Sequence, residues 1–344
     1  MTDVRGVTAL PEVDLRADPT RLREGLREAA HDVGFFYLTG HGVPGELVAR
    51  VLDAGRRLFE LPQPDKEAVA MVRSPHFRGY TRLGGELTRG EVDWREQIDV
   101  GPERPPIGGL DRSDYRWLQG PNQWPGALPE LPGIVEEWDA ALSAVARSLL
   151  RHWAASLGSP SGVFDSAFAD APATLIKIIR YPGRAAGAQG VGAHRDSGVL
   201  TLLLAEPGST GLQVRRGGGT GWKDGHCDDG WIDVPPREGA FIVNIGELLE
   251  VATRGYLRAT EHRVNLQAPT GDRISVPYFF NPRLDAQIPV LSLPAELAAR
   301  ARRVDDPADP IFDVYGRNAW KSRLRAHPDV AAAHGYSAER LEKS

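Results

Sequence analysis

A chain of 344 residues, 41% hydrophobic and 25% charged, can bury a large core and has the make-up of a soluble globular enzyme of one or two domains. A net charge of -5 gives no electrostatic reason to bind nucleic acid or an anionic membrane, which leaves a small molecule as the expected partner. Cys227 is the only cysteine, so neither an intrachain disulfide nor a thiolate-built zinc or iron–sulfur site is available, and a reducing cytoplasm is the expected location.

The first residues, "MTDVRGVTALPEVDLRADP", place acids and a proline where a signal peptide carries an apolar core, and no run approaches membrane-spanning length. "RLREGLREAAHDVG" sets Leu22, Leu26 and Ala29 at helical spacing and stops at Gly34; "FFYLTG" follows as a short buried strand. "PGELVARVLDAGRRLFELP" predicts a second helix with Leu47, Val51, Leu58 and Phe59 on one side and Pro62 ending it. Residues 74–132, rich in Gly, Pro and Arg, read as long loops of the kind that line substrate sites. The best helical stripe runs over 133–157 through Ile134, Trp138, Leu142, Val145, Leu149 and Trp153.

From residue 174 the pattern changes to short β-like runs: "TLIKIIRYP", "GVLTLLLA", "GLQVRR", "WIDVPP", "AFIVNIG", "HRVNLQ", "RISVPYFF" and "AQIPVL". Closely spaced strands without intervening helices predict an antiparallel sandwich or barrel, of which the eight-stranded jelly roll is one form. The fold expectation is therefore mainly β with flanking helices. It divides into an N-terminal helix/strand cap with loops (1–132), a core helix plus jelly roll (133–293), and a C-terminal helical segment and polar tail (294–344).

His-x-Asp occurs three times, as His194/Asp196, His226/Asp228 and His327/Asp329, so the triplet alone is a weak signal. The first stands at the mouth of the apolar run "GVLTLLLA"; on a strand His194 and Asp196 would share a face. His262, at the start of another strand, can supply a third ligand. Two imidazoles and one carboxylate with open positions on one side suit non-haem Fe(II) oxygen chemistry; a catalytic zinc site uses the same donors with fewer exchangeable positions, so iron is preferred. His226 lies in the Gly-rich segment "GGGTGWKDGHCDDG", read as surface decoration or, second, as a lid. His327 precedes Pro328 at a helix-to-turn junction and is expected to be solvated, while His31, His41, His76, His152 and His334 default to surface or satisfied core positions. Arg273 and Ser275, two apart in "RISVPYFF", form a natural receptor for a carboxylate; the alternative is an arginine paired with an acid of the protein.

The run from His194 to Asn281 resembles the iron- and 2-oxoglutarate-dependent oxygenases, in the isopenicillin N synthase-like branch that includes plant and bacterial dioxygenases of specialised metabolism. "HDVGFFYLTGHGVP" resembles that branch's N-terminal signature, and "WIDVPPREGAFIVNIGELLEVATRGYLRATEHRV" is similar to its core; the resemblance covers residues 9 to 330. It implies a double-stranded β-helix core, with His194, Asp196 and His262 as iron ligands. It also implies that Arg273 and Ser275 hold the distal carboxylate of 2-oxoglutarate with help from Tyr181. The implied reaction spends O2 and 2-oxoglutarate, releases succinate and carbon dioxide, and hydroxylates a small metabolite, or desaturates or cyclises it if the substrate is held differently.

The chain departs from the pattern at Ile179, where relatives often carry asparagine, at Arg195, often threonine, and at Glu247, usually aspartate and read here as structural. Pocket walls in this branch come from N-terminal loops and the C-terminal helix, which makes Phe77, Arg78, Tyr80, Phe280 and the region near Tyr315 substrate candidates. Phe280 is alternatively core and Arg78 alternatively solvated. Two other readings share the motifs: an iron oxidase of isopenicillin N synthase or aminocyclopropane carboxylate oxidase type, against which Tyr181 speaks, and a silent binding module, against which the intact triad speaks. A monomer is the default expectation.

Overall fold

The computed structural model describes residues 10–183, 188–215, 230–266, 271–302 and 309–337. The N-terminal third supplies β1 (Glu12–Asp14), α1 (Pro19–Asp32), β2 (Phe35–Thr39), α2 (Gly45–Glu60), α3 (Gln63–Ala68), β3 (Gly79–Thr81), β4 (Leu87–Thr88), β5 (Glu91–Val92) and β6 (Glu96–Val100). The long helix α4 (Leu131–Ser156) follows, then β7 (Leu175–Tyr181), β8 (Ala188–His194), β9 (Leu200–Ala205), β10 (Leu212–Arg215), β11 (Trp231–Asp233), β12 (Phe241–Ile245), α5 (Glu247–Ala252), β13 (His262–Leu266) and β14 (Arg273–Phe280). The chain continues through α6 (Ala295–Ala298), α7 (Tyr315–Ala326) and α8 (Pro328–His334).

Two sheets face each other. The larger has the order β1-β2-β12-β9-β14-β7-β6-β3 and the smaller β11-β10-β13-β8, all antiparallel except β1 beside β2. Period-2 alternation divides every strand of the larger sheet between two environments. Leu200, Leu202 and Leu204 of β9, Ile176 and Ile178 of β7, and Ile274, Val276, Tyr278 and Phe280 of β14 point outward into the main core. There they meet Ile134, Trp138, Leu142, Leu149 and Trp153 of α4 together with α1 and α2. The helix is locked in angle as well as by burial: the Trp153 indole N–H donates to Leu26 O at 3.0 Å, and its ring meets Phe36 edge-on. The other face looks into the space between the sheets, lined by Phe35, Tyr37, Ile179, Tyr181, Val191, Leu212 and Val264.

The N-terminal strands do more than cover one end. Four strands from before residue 101 extend the larger sheet at both edges, so its inner face is continuous from β2 to β3. One expected strand fails and one unforeseen strand takes its place. "AQIPVL" is not a strand: among described residues only Gln287 bridges, to Val314, and Pro289 has no N–H to offer a ladder. Instead the Gly-containing "AQGVGAH" forms β8, its register set by β13 opposite. The segment "GGGTGWKDGHCDDG", with His226, Cys227 and Asp228, lies outside the described residues.

Candidate active site

His194 and His262 are direct partners across the β8–β13 pair, which brings their rings to 4.3 Å between centroids. Asp196 does not share the strand with His194, contrary to the alternation argument. β8 ends at His194, and the chain turns before Asp196 reaches the same point. Its carbonyl accepts from Glu247 N at 2.7 Å, at the start of α5. Gly246 permits that approach, because a Cβ there would stand 2.1 Å from Gly198 O. Glu247 therefore acts on the site through its backbone, in keeping with a structural role.

The donor set fits a divalent metal. His194 Nδ1–H donates to Gly192 O at 2.8 Å and His262 Nδ1–H to Thr260 O at 3.2 Å, which leaves both Nε2 lone pairs facing Asp196 Oδ1 at 3.5 and 3.7 Å. Asp196 Oδ2 is occupied, accepting from Thr201 Oγ1 at 2.5 Å and Asn244 Nδ2 at 2.8 Å, so Oδ1 alone is free. Three acceptor atoms within 4.8 Å of one another repel unless a cation lies among them. Burial pushes the His262 imidazole down to about 4, aided by the neighbouring His194, while Asp196, despite burial, is held well below the usual carboxylate range by the facing imidazoles. Asp196 in turn holds the His194 imidazole above its ordinary value against burial, so a metal ion entering the site takes the place of a proton there.

Thr201 and Asn244, which the sequence reading missed, lie on adjacent strands in register with each other, both on the inner face. Thr201→Val is expected to weaken Fe(II) binding by on the order of 10–100-fold, read by metal titration, because a carboxylate freed from this bond no longer presents one fixed oxygen. Unchanged affinity would remove that orienting role.

Across the same inner face, Arg273 and Ser275 of β14 are 4% and 2% exposed. Arg273 Nη1 donates to Thr210 O at 2.9 Å, its guanidinium carbon lies 4.7 Å from the Tyr181 ring centroid, and Nε has no partner. Tyr181 is its register partner on β7, and Ile179 is that of Ser275. Among the described residues no carboxylate comes within salt-bridge distance of Arg273. A buried, uncompensated guanidinium fits the acid end of a bound dicarboxylate.

Beyond Tyr181 the inner face becomes charged. Lys177 of β7 lies 2.7 Å from Glu86 and 3.5 Å from Asp99 of β6; Arg95 pairs with Glu86 at 2.9 Å and Asp93 at 3.3 Å; Arg323 of α7 meets Asp99 at 2.5 Å. Asp93 also accepts from Gly192 N at 3.1 Å, which ties this network to the strand that carries His194. A lysine inside "TLIKIIRY" is the sequence signal that would have found it.

The substrate candidates separate. Tyr80 and Phe280 lie on the outer face: Tyr80 donates to Glu96 at 2.5 Å, and Phe280 stacks on Phe168 at 4.5 Å. Phe77 packs among Trp320, Tyr336 and His327 under the C-terminal helices. Arg78, far from being solvated, is 7% exposed and joins the charged network. His327, also expected in solvent, is 1% exposed, because α8 folds back at Pro328 and encloses the junction.

Burial pushes the His327 imidazole down to about 4, with Arg323 and Lys177 working the same way and Glu86 and Asp99 opposing. A histidine depressed on folding is neutral in both states above its ordinary pKa of about 6.5 and takes up its proton more readily when unfolded. Stability contributed here is therefore complete above about 6.5 and lost as pH falls toward 4. Thermal unfolding against pH is expected to show a shallower acid slope in that window for His327→Gln than for wild type; parallel slopes would contradict this origin.

Residues 174–282 match the 2OG-Fe(II) oxygenase superfamily, and residues 10–127 match the N-terminal region of non-haem dioxygenases in morphine synthesis. The 2-oxoglutarate-dependent dioxygenase frbJ of a Dothideomycetidae fungus is 34% identical, over 91% of this chain and 86% of that one. The homoarginine-6-hydroxylase 2-ODD-C23.2 of Arabidopsis thaliana is 32% identical, over 78% and 72%. The validamycin A dioxygenase of Streptomyces hygroscopicus subsp. limoneus is 34% identical, over 83% and 80%. A full-length Neurospora crassa protein, solved in complex with alpha-KG, shares the fold at a TM-score of 0.70 and 22% identity, covering 92% of this chain and 97% of that one. A putative 2OG-Fe(II) oxygenase family protein from Caulobacter crescentus superposes with a TM-score of 0.71 at 25% identity, over 93% and 99%. The chain belongs to the 2OG-Fe(II) oxygenase superfamily. It is a 2-oxoglutarate-dependent non-haem iron dioxygenase with a jelly-roll core, and the co-substrate-independent reading gives way to this one.

Proposed function

We propose that His194, Asp196 and His262 hold the Fe(II), that Arg273 and Ser275 grip the far carboxylate of 2-oxoglutarate beside Tyr181, and that the enzyme hydroxylates a small polar metabolite. The observation that carries the reading is the convergence of three acceptor atoms between the two sheets, together with a buried arginine that meets no carboxylate among the described residues. When bound, Fe(II) with 2-oxoglutarate supplies oxidative decarboxylation to succinate and carbon dioxide coupled to oxidation of a C–H bond. The chain's own residues bind and orient. Thr201 and Asn244 aim the Asp196 oxygen, the backbone carbonyls of Gly192 and Thr260 fix the imidazole tautomers, and Arg273 sets the register of the co-substrate.

The metabolite is read as polar because the inner face beyond Tyr181 carries Lys177, Glu86, Arg95 and Asp99 rather than apolar side chains. Relatives named for homoarginine and validamycin A act on polar molecules, in agreement with such a wall. A monomer working in the cytoplasm completes the proposal. A single cysteine suits a reducing compartment, and among the described residues no helix is long and apolar enough to cross a membrane. Substrate-dependent succinate formation, screened across polar metabolites with homoarginine among them, tests the reading. It is expected to rise above the rate without substrate for polar compounds, and a response confined to apolar ones would overturn it.

A further inference from the structure

Two buried arginines of this molecule lack a carboxylate among the described residues. Arg273 has 2-oxoglutarate as its partner in the function proposed above; Arg78 has none. Its Nη2 donates to Leu118 O at 3.2 Å, and its Nε has no partner. The three other cations of the network each hold an acid: Arg95 has Glu86 and Asp93, Lys177 has Glu86 and Asp99, and Arg323 has Asp99. Asp99 is already shared, its Oδ2 facing Lys177 and Arg323 and its Oδ1 accepting from Gln97 Nε2 at 2.6 Å. Arg78, Arg95, Lys177 and Arg323 thus face three carboxylates, Glu86, Asp93 and Asp99, with His327 neutral among them, and one positive charge is uncompensated.

The backbone is shaped to hold that charge in place. Phe77 takes a left-handed φ of 55°, a conformation unfavourable for a non-glycine residue, and so turns the chain just before Arg78. Gly101 leaves the space the guanidinium fills: a Cβ there would lie 2.4 Å from Arg78 Nη2. The charges around it nearly balance, Asp99 attracting the guanidinium while Arg323 and Arg104 repel it, and among the described residues no carboxylate reaches it as an ion pair. Burial lowers the Arg78 pKa only to about 10, which keeps it cationic at neutral pH.

Arg78 is linked to the inner face through the edge of the larger sheet. It precedes β3, whose Gly79 pairs with Asp99; Asp99 pairs with Lys177, and Lys177 shares the inner face of β7 with Tyr181. We propose that Arg78 is the receptor for a carboxylate of the substrate, so that the metabolite oxidised by this enzyme is an acid, held by its carboxylate while another part of it meets the metal site. The proposal rests on the oxygenase reading and deepens it. One uncompensated charge matches a carboxylate better than a phosphate dianion, which would leave a negative charge buried.

The test loads wild type, Arg78→Gln, Arg78→Met and Gly101→Ala with Fe(II) and 2-oxoglutarate. Each is assayed for succinate formation with the protein amino acids, homoarginine and straight-chain monocarboxylic acids, every acid beside its primary amide. Acids are expected to stimulate wild type and their amides to be weaker by on the order of a hundredfold, with KM for the best acid raised as much in Arg78→Gln, and also raised in Gly101→Ala, which displaces the guanidinium without removing it. Without substrate, Arg78→Met is expected to unfold at a higher temperature than wild type, since it removes a buried charge that awaits a partner. Amides as good as acids, or an unchanged KM in Arg78→Gln together with a lower unfolding temperature in Arg78→Met, would overturn the proposal and leave Arg78 a packing residue. The visible band of the anaerobic Fe(II)–2-oxoglutarate complex separates the two levels: retained in Arg78→Gln, it shows that only substrate recognition has changed, while its absence from wild type refutes the oxygenase reading itself.

Discussion

Substitution of His262 by alanine is expected to abolish substrate-coupled succinate formation and to reduce Fe(II) binding to the level of non-specific surface sites. Its Nε2 is one of the three acceptor atoms that converge among the described residues, and the remaining pair, His194 and Asp196, leave a bidentate site open to water. The ring also meets Phe35 edge-on at 5.1 Å, so loss of packing accompanies loss of the ligand. His262→Gln keeps more of that volume and is the control for stability. Metal titration with a measurement of unfolding temperature separates the two effects, and full activity in either variant would remove His262 from the ligand set.

Arg273→Gln is expected to raise the KM for 2-oxoglutarate with a smaller effect on kcat. Removing one partner of a buried charge pair costs about 2–5 kcal/mol, which corresponds to a loss of affinity of roughly thirtyfold or more. The side chain is 4% exposed, with Thr210 O as its one hydrogen-bond acceptor among the described residues, so no nearby lysine or arginine of β14 can take over the contact. Arg273→Lys keeps the charge but loses the planar fork and is expected to fall between glutamine and wild type. An unchanged 2-oxoglutarate dependence would contradict the assignment.

How much of this was legible in the sequence depended on whether a residue's role is local. Arg273 and Ser275 were readable because two positions on one strand share a face whatever the rest of the fold does. His194 and His262 were readable as candidates from their strand positions, but the register that sets them opposite each other is a property of two strands more than sixty residues apart in the chain. Asp196 was assigned for a wrong geometric reason: it reaches the site by leaving the strand, and its orientation comes from Thr201 and Asn244, whose neighbouring strands no spacing rule connects.

The charged inner face was missed for a similar reason. Asp99 and Lys177 sit in segments read as loop and as apolar strand, and only the pairing of β6 with β7 reveals them as partners. His327 was misplaced because Pro328 read as a turn to solvent, whereas the proline opens a helix that folds inward. Tyr80 and Phe280 illustrate the period-2 limit: one position's shift in parity puts a side chain on the opposite side of the sheet.

The central claim is that three acceptors and one arginine between the two sheets hold iron and 2-oxoglutarate together. The most direct measurement adds Fe(II) and then 2-oxoglutarate to metal-free protein without oxygen and records the weak visible charge-transfer band of the chelated keto acid. The account predicts that the band develops in wild type, is lost in His194→Ala, and needs more 2-oxoglutarate in Arg273→Gln. Failure of iron to bind, or bound iron with no band at saturating 2-oxoglutarate, would contradict it.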